Sequence, residues 1–159
     1  MPAEPSVVSA SHAAIGYGGE PVLTDLEFEI PRGSRVALLG PNGGGRTTLF
    51  RLLSTLLPIP RGTIRPCGRN VATEPNQFRR LLGVTFQSPG LDRKLTVAEN
   101  LRHQGHLYGL RGADLKARIA TSLGRFGVAD RMREIVQKLS GGLQRRVEIA
   151  KGLLHDPQV

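Results

Sequence analysis

The chain has 159 residues, 39% of them hydrophobic, which is enough for one folded domain or most of one. Its formal charge of +9 suits a polyanionic ligand, an acidic membrane surface or nucleic acid, and does not choose among them. Because no run approaches the roughly 20 apolar residues that cross a bilayer and no apolar signal segment opens the chain, we expect a cytoplasmic protein that reaches membranes through a partner. Cys67 is the only cysteine, which excludes an internal disulfide and a thiolate metal cluster.

The first third of the chain predicts an antiparallel strand and then a glycine-rich loop. Residues 26–30 alternate apolar and charged side chains, the pattern of a strand with one buried face, and residues 31–33 form a turn. Residues 36–39 are a continuous apolar run, which predicts a strand buried on both faces. A helix is expected over residues 48–57, where leucines recur at helical spacing before Pro58.

Short elements are predicted in the middle of the chain. Residues 62–64, 69–71 and 84–86 fit short strands, and residues 76–82 fit a short helix that begins near Pro75. This part of the sequence therefore continues a mixed α/β pattern.

From Thr96 onward the sequence becomes helical. Thr96 and Glu99 fit a capping box that opens a helix to about residue 108. A second helix is marked by apolar residues at helical spacing, namely Leu115, Ile119, Leu123 and Phe126. Ser140 can cap a last helix whose buried face would carry Leu143, Val147, Ala150 and Leu154.

The glycine-rich loop has the spacing of a P-loop between a predicted strand and a predicted helix. It consists of Gly40, Pro41, Asn42, Gly43, Gly44, Gly45, Arg46 and Thr47. Glycines let successive backbone N–H groups surround a phosphate, and the helix N-terminus adds partial positive charge. The Thr47 hydroxyl is of the type that ligates Mg²⁺. The alternative interpretation is a flexible glycine turn without a ligand.

Arg46 occupies the position at which the P-loop motif has lysine. Its guanidinium keeps the positive charge and can pair with phosphate, but a planar group with five donors does not fill the space of a compact ammonium. We therefore expect nucleotide binding to be retained better than turnover.

A second motif lies near the C-terminal end of the sequence. Leu139-Ser140-Gly141-Gly142-Leu143-Gln144-Arg145-Arg146 resembles the signature motif of ABC ATPases, although a capped helix alone would also explain Ser140 and the glycines. Phe86-Gln87-Ser88-Pro89 lies between the two motifs, in the order that this family uses. The resemblance runs from Ile15 to the last residue.

The resemblance implies that the chain binds ATP and Mg²⁺. Tyr17 would stack on adenine, and Gln87 would sense Mg²⁺ and the γ-phosphate and contact a transmembrane subunit. The glycine loop and Thr48 would hold the phosphates, with Thr47 and Gln87 at the metal. ATP held by a second, head-to-tail subunit would be covered by four signature residues, Ser140, Gly141, Gly142 and Gln144.

The implied fold is α/β: a P-loop NTPase core with an N-terminal antiparallel β-subdomain and a helical insert. Residues 1–159 would form a partial ABC domain, with the β-subdomain and core at about 1–87, the insert at 88–140, and the signature helix with the start of a further strand at 141–159. The family pattern continues with a strand ending in Asp-Glu and a switch histidine. These are not among the 159 residues, so we expect a truncated chain with an incomplete core sheet and no catalytic residue.

The function implied is that of an ATP-binding subunit that couples ATP binding and hydrolysis to transport by a transmembrane permease, on the cytoplasmic face of the membrane. Residues 91–101, 106–110 and 147–154 are similar to drug- and polysaccharide-export ATPases, which favours export. One alternative is a non-hydrolysing nucleotide-binding remnant or interaction module. Another, a soluble ABC protein acting on nucleic acid or the ribosome, is disfavoured because the basic residues are dispersed and only 4% of residues are aromatic.

Overall fold

The computed structural model describes residues 6–17, 20–59, 61–86 and 90–159, without the side chains of Tyr17 and Glu20. These residues divide into two compact units. The first unit comprises Met1–Leu82 with Gln158–Val159, and the second comprises Gly83–Pro157.

The first unit is built on a three-stranded antiparallel sheet. Its strands are β1 (Ser6–Tyr17), β2 (Glu20–Pro31) and β3 (Arg61–Pro66), in the order β2-β1-β3. The alternation in residues 26–30 therefore correctly predicted a strand, and the short strand at residues 62–64 is also confirmed.

A bulge in β1 sets which of its side chains reach the core. The pairing with β2 shifts between Ala10 and Ala13, and His12 within that interval has a φ of 46°. Because side chains alternate along a strand, the extra residue changes the phase of burial. As a result Ala13 and Ile15 are fully buried while His12 stays exposed.

Two helices complete the first unit. Helix α1 (Arg46–Leu53) follows the glycine loop, and helix α2 (Pro75–Leu81) begins on a proline as predicted. The core is formed by buried apolar residues of the strands and helices, among them Ile15, Leu52, Ile64 and Phe78. Helix α1 ends four residues before the predicted boundary, because Thr55 adopts a left-handed conformation with φ of 58°.

Three predicted strands are wrong for the described residues. Residues 36–39 have no strand pairing, and Val36, Leu38 and Leu39 are 58, 45 and 90% exposed, so this run is not buried on both faces. Residues 84–86 likewise do not form a strand, and near residues 69–71 a bond from Val71 N to Ile64 O does not continue as a ladder. A strand of a parallel sheet requires neighbouring strands and covered faces. Residues 36–39 have the apolar composition of a buried strand, but no neighbouring strand of the described residues pairs with them.

The second unit is helical. It contains α3 (Val97–Leu107), α4 (Gly112–Arg125) and α5 (Gly141–Gly152), with 3₁₀ turns at Ala129–Arg131 and Val136–Lys138. All three predicted helices are confirmed. Their core includes Leu101, Leu115, Ile119, Leu123, Val147, Ala150 and Leu154. None of the helices in the described ranges is long and apolar enough to cross a membrane.

The predicted capping box at the start of α3 is present. Thr96 Oγ1 accepts a hydrogen bond from Glu99 N at 3.2 Å, and Glu99 Oε2 accepts from Thr96 N at 2.8 Å. The Thr96 hydroxyl also donates to Glu99 Oε2 at 2.6 Å. These bonds, led by that from the Thr96 side chain, hold the pKa of Glu99 below its ordinary value of 4.5.

Replacing Thr96 with alanine should lower the free energy of unfolding by about 1 kcal/mol, because the first turn of α3 loses its cap. Since the pKa of Glu99 is lowered in the folded state, its contribution to stability is present above pH 4.5 and is lost as the pH falls through the folded pKa. Urea unfolding from pH 7 to pH 3 measures both effects. Thr121→Ala, at an exposed position inside α4, is the control and should not lower the free energy of unfolding, because alanine is the better helix former.

Candidate functional site

The glycine loop forms a tight turn directly before α1. Gly44 N donates to Pro41 O at 3.1 Å, and Gly43 and Gly45 have φ values of 83° and 77°. The first bond into the helix runs from Leu49 N to Gly45 O at 2.8 Å. In the described loop and helix, the amides before Leu49 at residues 46–48 therefore have no acceptor within the helix.

Gly45 is required by its contact with β2. A Cβ placed on Gly45 would lie 2.7 Å from Cγ and Cδ2 of Leu23, which is closer than real Cβ contacts allow. Its φ of 77° also disfavours any L side chain. Strand β2 thus fixes the last residue of the loop, and with it the start of α1. The sequence pattern identified the loop but not the part played by Leu23.

A cavity of about 180 Å³ lies against the start of α1. It is lined by Asn42, Gly43, Gly44, Gly45, Arg46, Thr47 and Thr48. The first turn of α1 contains no acidic residue, so the positive end of the helix dipole is not neutralised there. Free amides, the dipole and the Arg46 guanidinium all favour an anion in this cavity.

The side chain of Arg46 lies along the loop. Its Nη2 donates to Asn42 Oδ1 at 3.4 Å, and its Cδ lies 3.8 Å from the position of a Cβ placed on Gly40. The cationic group predicted to replace the usual lysine is therefore held beside the cavity. A bond of 3.4 Å is weak, so a phosphate can compete for the guanidinium.

The two threonines at the start of α1 differ in exposure. Thr47 is exposed and Thr48 is 8% exposed, although both line the cavity. Hydroxyl oxygens beside phosphate-binding amides match the hard oxygen ligands that Mg²⁺ prefers. The donor chemistry of the cavity therefore fits a magnesium–phosphate complex, with Thr47 as the accessible hydroxyl.

The signature turn in the second unit is a helix cap. Ser140 Oγ accepts from Leu143 N at 3.4 Å, as predicted, and, apart from chain neighbours and the backbone of α5 itself, no atom of the described residues lies within 4 Å of a Cβ placed on Gly141 or Gly142. Gln144 Nε2 donates to Val136 O at 3.2 Å and Leu139 O at 2.9 Å. Gln144 thus braces the turn before the helix, a role the sequence did not suggest, and its predicted contact with nucleotide stays a prediction.

Two predicted site residues are only partly described or not described. Tyr17 ends β1, but its side chain lies outside the description, and Gln87 lies outside the described residues. The roles of these two residues remain predictions from resemblance.

Comparisons with known proteins match most of the chain. The family model for "ABC transporter" covers residues 23–159.

The ATP-binding protein NatA of Bacillus subtilis is 38% identical over 136 residues, which are 85% of this chain and 55% of that protein. The daunorubicin resistance ATP-binding protein DrrA3 of Streptomyces coeruleorubidus is 36% identical over 97% of this chain and 49% of that protein. The Nod factor export ATP-binding protein I of Cupriavidus pinatubonensis is 35% identical over the whole chain and 49% of that protein. The chain spans about half the length of these relatives.

Solved structures agree with these matches. An ATP-binding subunit of an ABC transporter has a TM-score of 0.82 at 30% identity, over 96% of this chain and 63% of that one. The protein cbiO1 from Clostridium perfringens, part of the transporter complex cbiONQ, has a TM-score of 0.87 at 25% identity, over 97% and 63%. With the glycine loop opening α1, this fold places the chain in the P-loop NTPase class. More narrowly, the chain belongs to the ABC transporter family.

Proposed function

We propose that the chain binds Mg-ATP at the glycine loop and acts as an ATP-binding subunit of an ABC transporter. The observation that carries this proposal is the cavity at residues 42–48, where the amides at the start of α1, the helix dipole and Arg46 converge. Family membership supports ATP as the source of the phosphates.

Within the site, each group has a chemical role. The phosphate chain is held by Gly40, Pro41 and the amides of residues 42–48. Arg46 neutralises part of its charge. Thr47 offers its hydroxyl to Mg²⁺, which when bound neutralises phosphate oxygens. By resemblance, Tyr17 stacks on adenine and Gln87 senses the metal and the γ-phosphate.

The working unit is proposed to be a pair of ATP-binding chains with a transmembrane permease, at the cytoplasmic face of the membrane. Ser140, Gly141, Gly142 and Gln144 of one chain would close over ATP on the other. The exposed glycines of the signature turn support this because they leave backbone accessible to a ligand. Export is proposed because two of the matched relatives are named for daunorubicin resistance and Nod factor export.

A second candidate function is nucleotide binding without hydrolysis. Arg46 favours it, because its planar guanidinium does not reproduce the compact point charge of a lysine ammonium. A phosphate-release assay on the chain and on Arg46→Lys separates the two functions. Turnover by the parent chain would exclude the binding-only alternative.

Binding itself is tested by displacing a fluorescent ATP analogue from the chain in the presence of Mg²⁺. We expect ATP and ADP to compete much better than AMP, and adenosine hardly at all, because the loop binds phosphate rather than the base. A chain that is folded by circular dichroism but gives no saturable signal at millimolar analogue would refute the proposal. Equal competition by adenosine and ATP would refute the role of the loop.

A further inference from the structure

One face of α5 carries three charged residues at helical spacing, Arg145, Glu148 and Lys151. They hold two backbone positions far away in sequence, Phe86 and Gly90. Gly90 N donates to Glu148 Oε1 at 2.8 Å, and Lys151 Nζ donates to Gly90 O. Arg145 Nη1 donates to Phe86 O at 2.7 Å and to Glu148 Oε2 at 2.9 Å.

Glu148 is the centre of this arrangement. Its side chain is 7% exposed, whereas that of Arg145 is 48% exposed. A buried carboxylate is costly unless hydrogen bonds and opposite charges compensate it, and here a backbone amide and the Arg145 guanidinium do so. Burial lowers the pKa of Lys151, with the Glu148 carboxylate acting in the opposite direction. Packing alone does not require a carboxylate at this position.

The positions that these residues hold have functional neighbours in the sequence. Phe86 and Gly90 lie on either side of Gln87, to which the resemblance assigns sensing of Mg²⁺ and the γ-phosphate. The helix that holds them begins at Ser140, the cap of the signature turn. Charged side chains of one helix thus connect the two motifs within the second unit.

We propose that Glu148 is a positioning residue that, with Arg145 and Lys151, fixes the backbone on both sides of Gln87 to the signature helix. Glu148 touches no nucleotide and acts through the placement of these backbone positions. The consequence is that Phe86 and Gly90 follow a displacement of the signature helix. This inference rests on the proposed function, because only a nucleotide-binding chain makes use of such a connection.

The test compares three variants of the chain. Glu148→Leu removes both acceptor oxygens at similar volume, and Glu148→Gln retains an oxygen for Gly90 N. Ser122→Ala is the matched control, because it removes a different bond to α5, from Ser122 Oγ to Ala150 O at 2.8 Å, without touching Phe86 or Gly90. The measurements are amide hydrogen exchange at Gly90 and the ratio of affinities for ATP and ADP.

In Glu148→Leu we expect the exchange rate at Gly90 to rise about tenfold or more and the preference for ATP over ADP to fall toward unity. Glu148→Gln should restore much of both properties, and Ser122→Ala should leave them at parent values. The proposal is overturned if Glu148→Leu keeps the parent exchange rate or ATP preference, or if Ser122→Ala alters both equally. A parent chain that binds neither nucleotide overturns the proposed function, and Gly90 exchange then decides separately whether Glu148 holds this backbone.

Discussion

Replacing Arg46 with alanine should weaken the binding of Mg-ATP about tenfold to a hundredfold. The charge-assisted hydrogen bonds that a guanidinium makes to phosphate contribute about 1.5–3 kcal/mol, and 1.4 kcal/mol corresponds to a factor of ten. The loss should appear in calorimetric titration with ATP and with ADP, since both carry phosphates at the loop. Arg46→Lys should keep most of the affinity because the positive charge remains.

The control for Arg46 is Arg65→Ala, which removes the same charge from an exposed position on β3. It lowers the net charge equally but leaves the loop intact, so it should change affinity less than twofold at physiological salt, where distant surface charges are screened. Equal losses in both variants would mean that ATP responds to net charge rather than to the loop. An Arg46→Ala chain with parent affinity would exclude a phosphate contact by Arg46.

Local signals predicted the helices and their caps well. The Thr96–Glu99 capping box, the Ser140 cap and Pro75 at the start of α2 each depend on contacts within one turn of helix, and the sequence contains all of that information. The strand at residues 36–39 could not be decided in this way. Its composition is that of a buried strand, but burial depends on neighbouring strands distant in sequence, and in the structure Leu39 is 90% exposed.

The sequence identified the residues of the candidate site but not the contacts that hold them in place. The spacing of Gly40 to Thr47 identified a loop that opens a helix, because the glycines and the helix start are local features. The contact of Gly45 with Leu23 and the bond of Glu148 to Gly90 join residues far apart in sequence and depend on tertiary packing. A charged residue every third position of α5 was the available signal for Glu148, and it is shared by many solvent-facing helices.

The largest loss of stability that we predict follows from replacing Gly62 with alanine. Gly62 lies in β3 opposite the bulge of β1, where the pairing shifts between Ser11 and Ala14. A Cβ on Gly62 would lie 2.3 Å from His12 O and 2.5 Å from Ala13 Cα, and these are backbone atoms that cannot rotate away. The Gly62 φ of 77° adds strain for an L residue. Overpacking and strain together should lower the free energy of unfolding by about 2–5 kcal/mol.

Gly68→Ala separates the clash from the backbone strain. Gly68 has nearly the same φ, 74°, but, apart from its two chain neighbours, no atom of the described residues lies within 4 Å of its Cβ position, so only the strain of about 1 kcal/mol should remain. Urea unfolding followed by circular dichroism measures both variants. Equal losses would show that conformation alone decides the cost at Gly62. A larger loss at Gly62 would show that the β1 bulge requires a glycine opposite it in β3. This bulge is the feature that places Ala13 and Ile15 in the core.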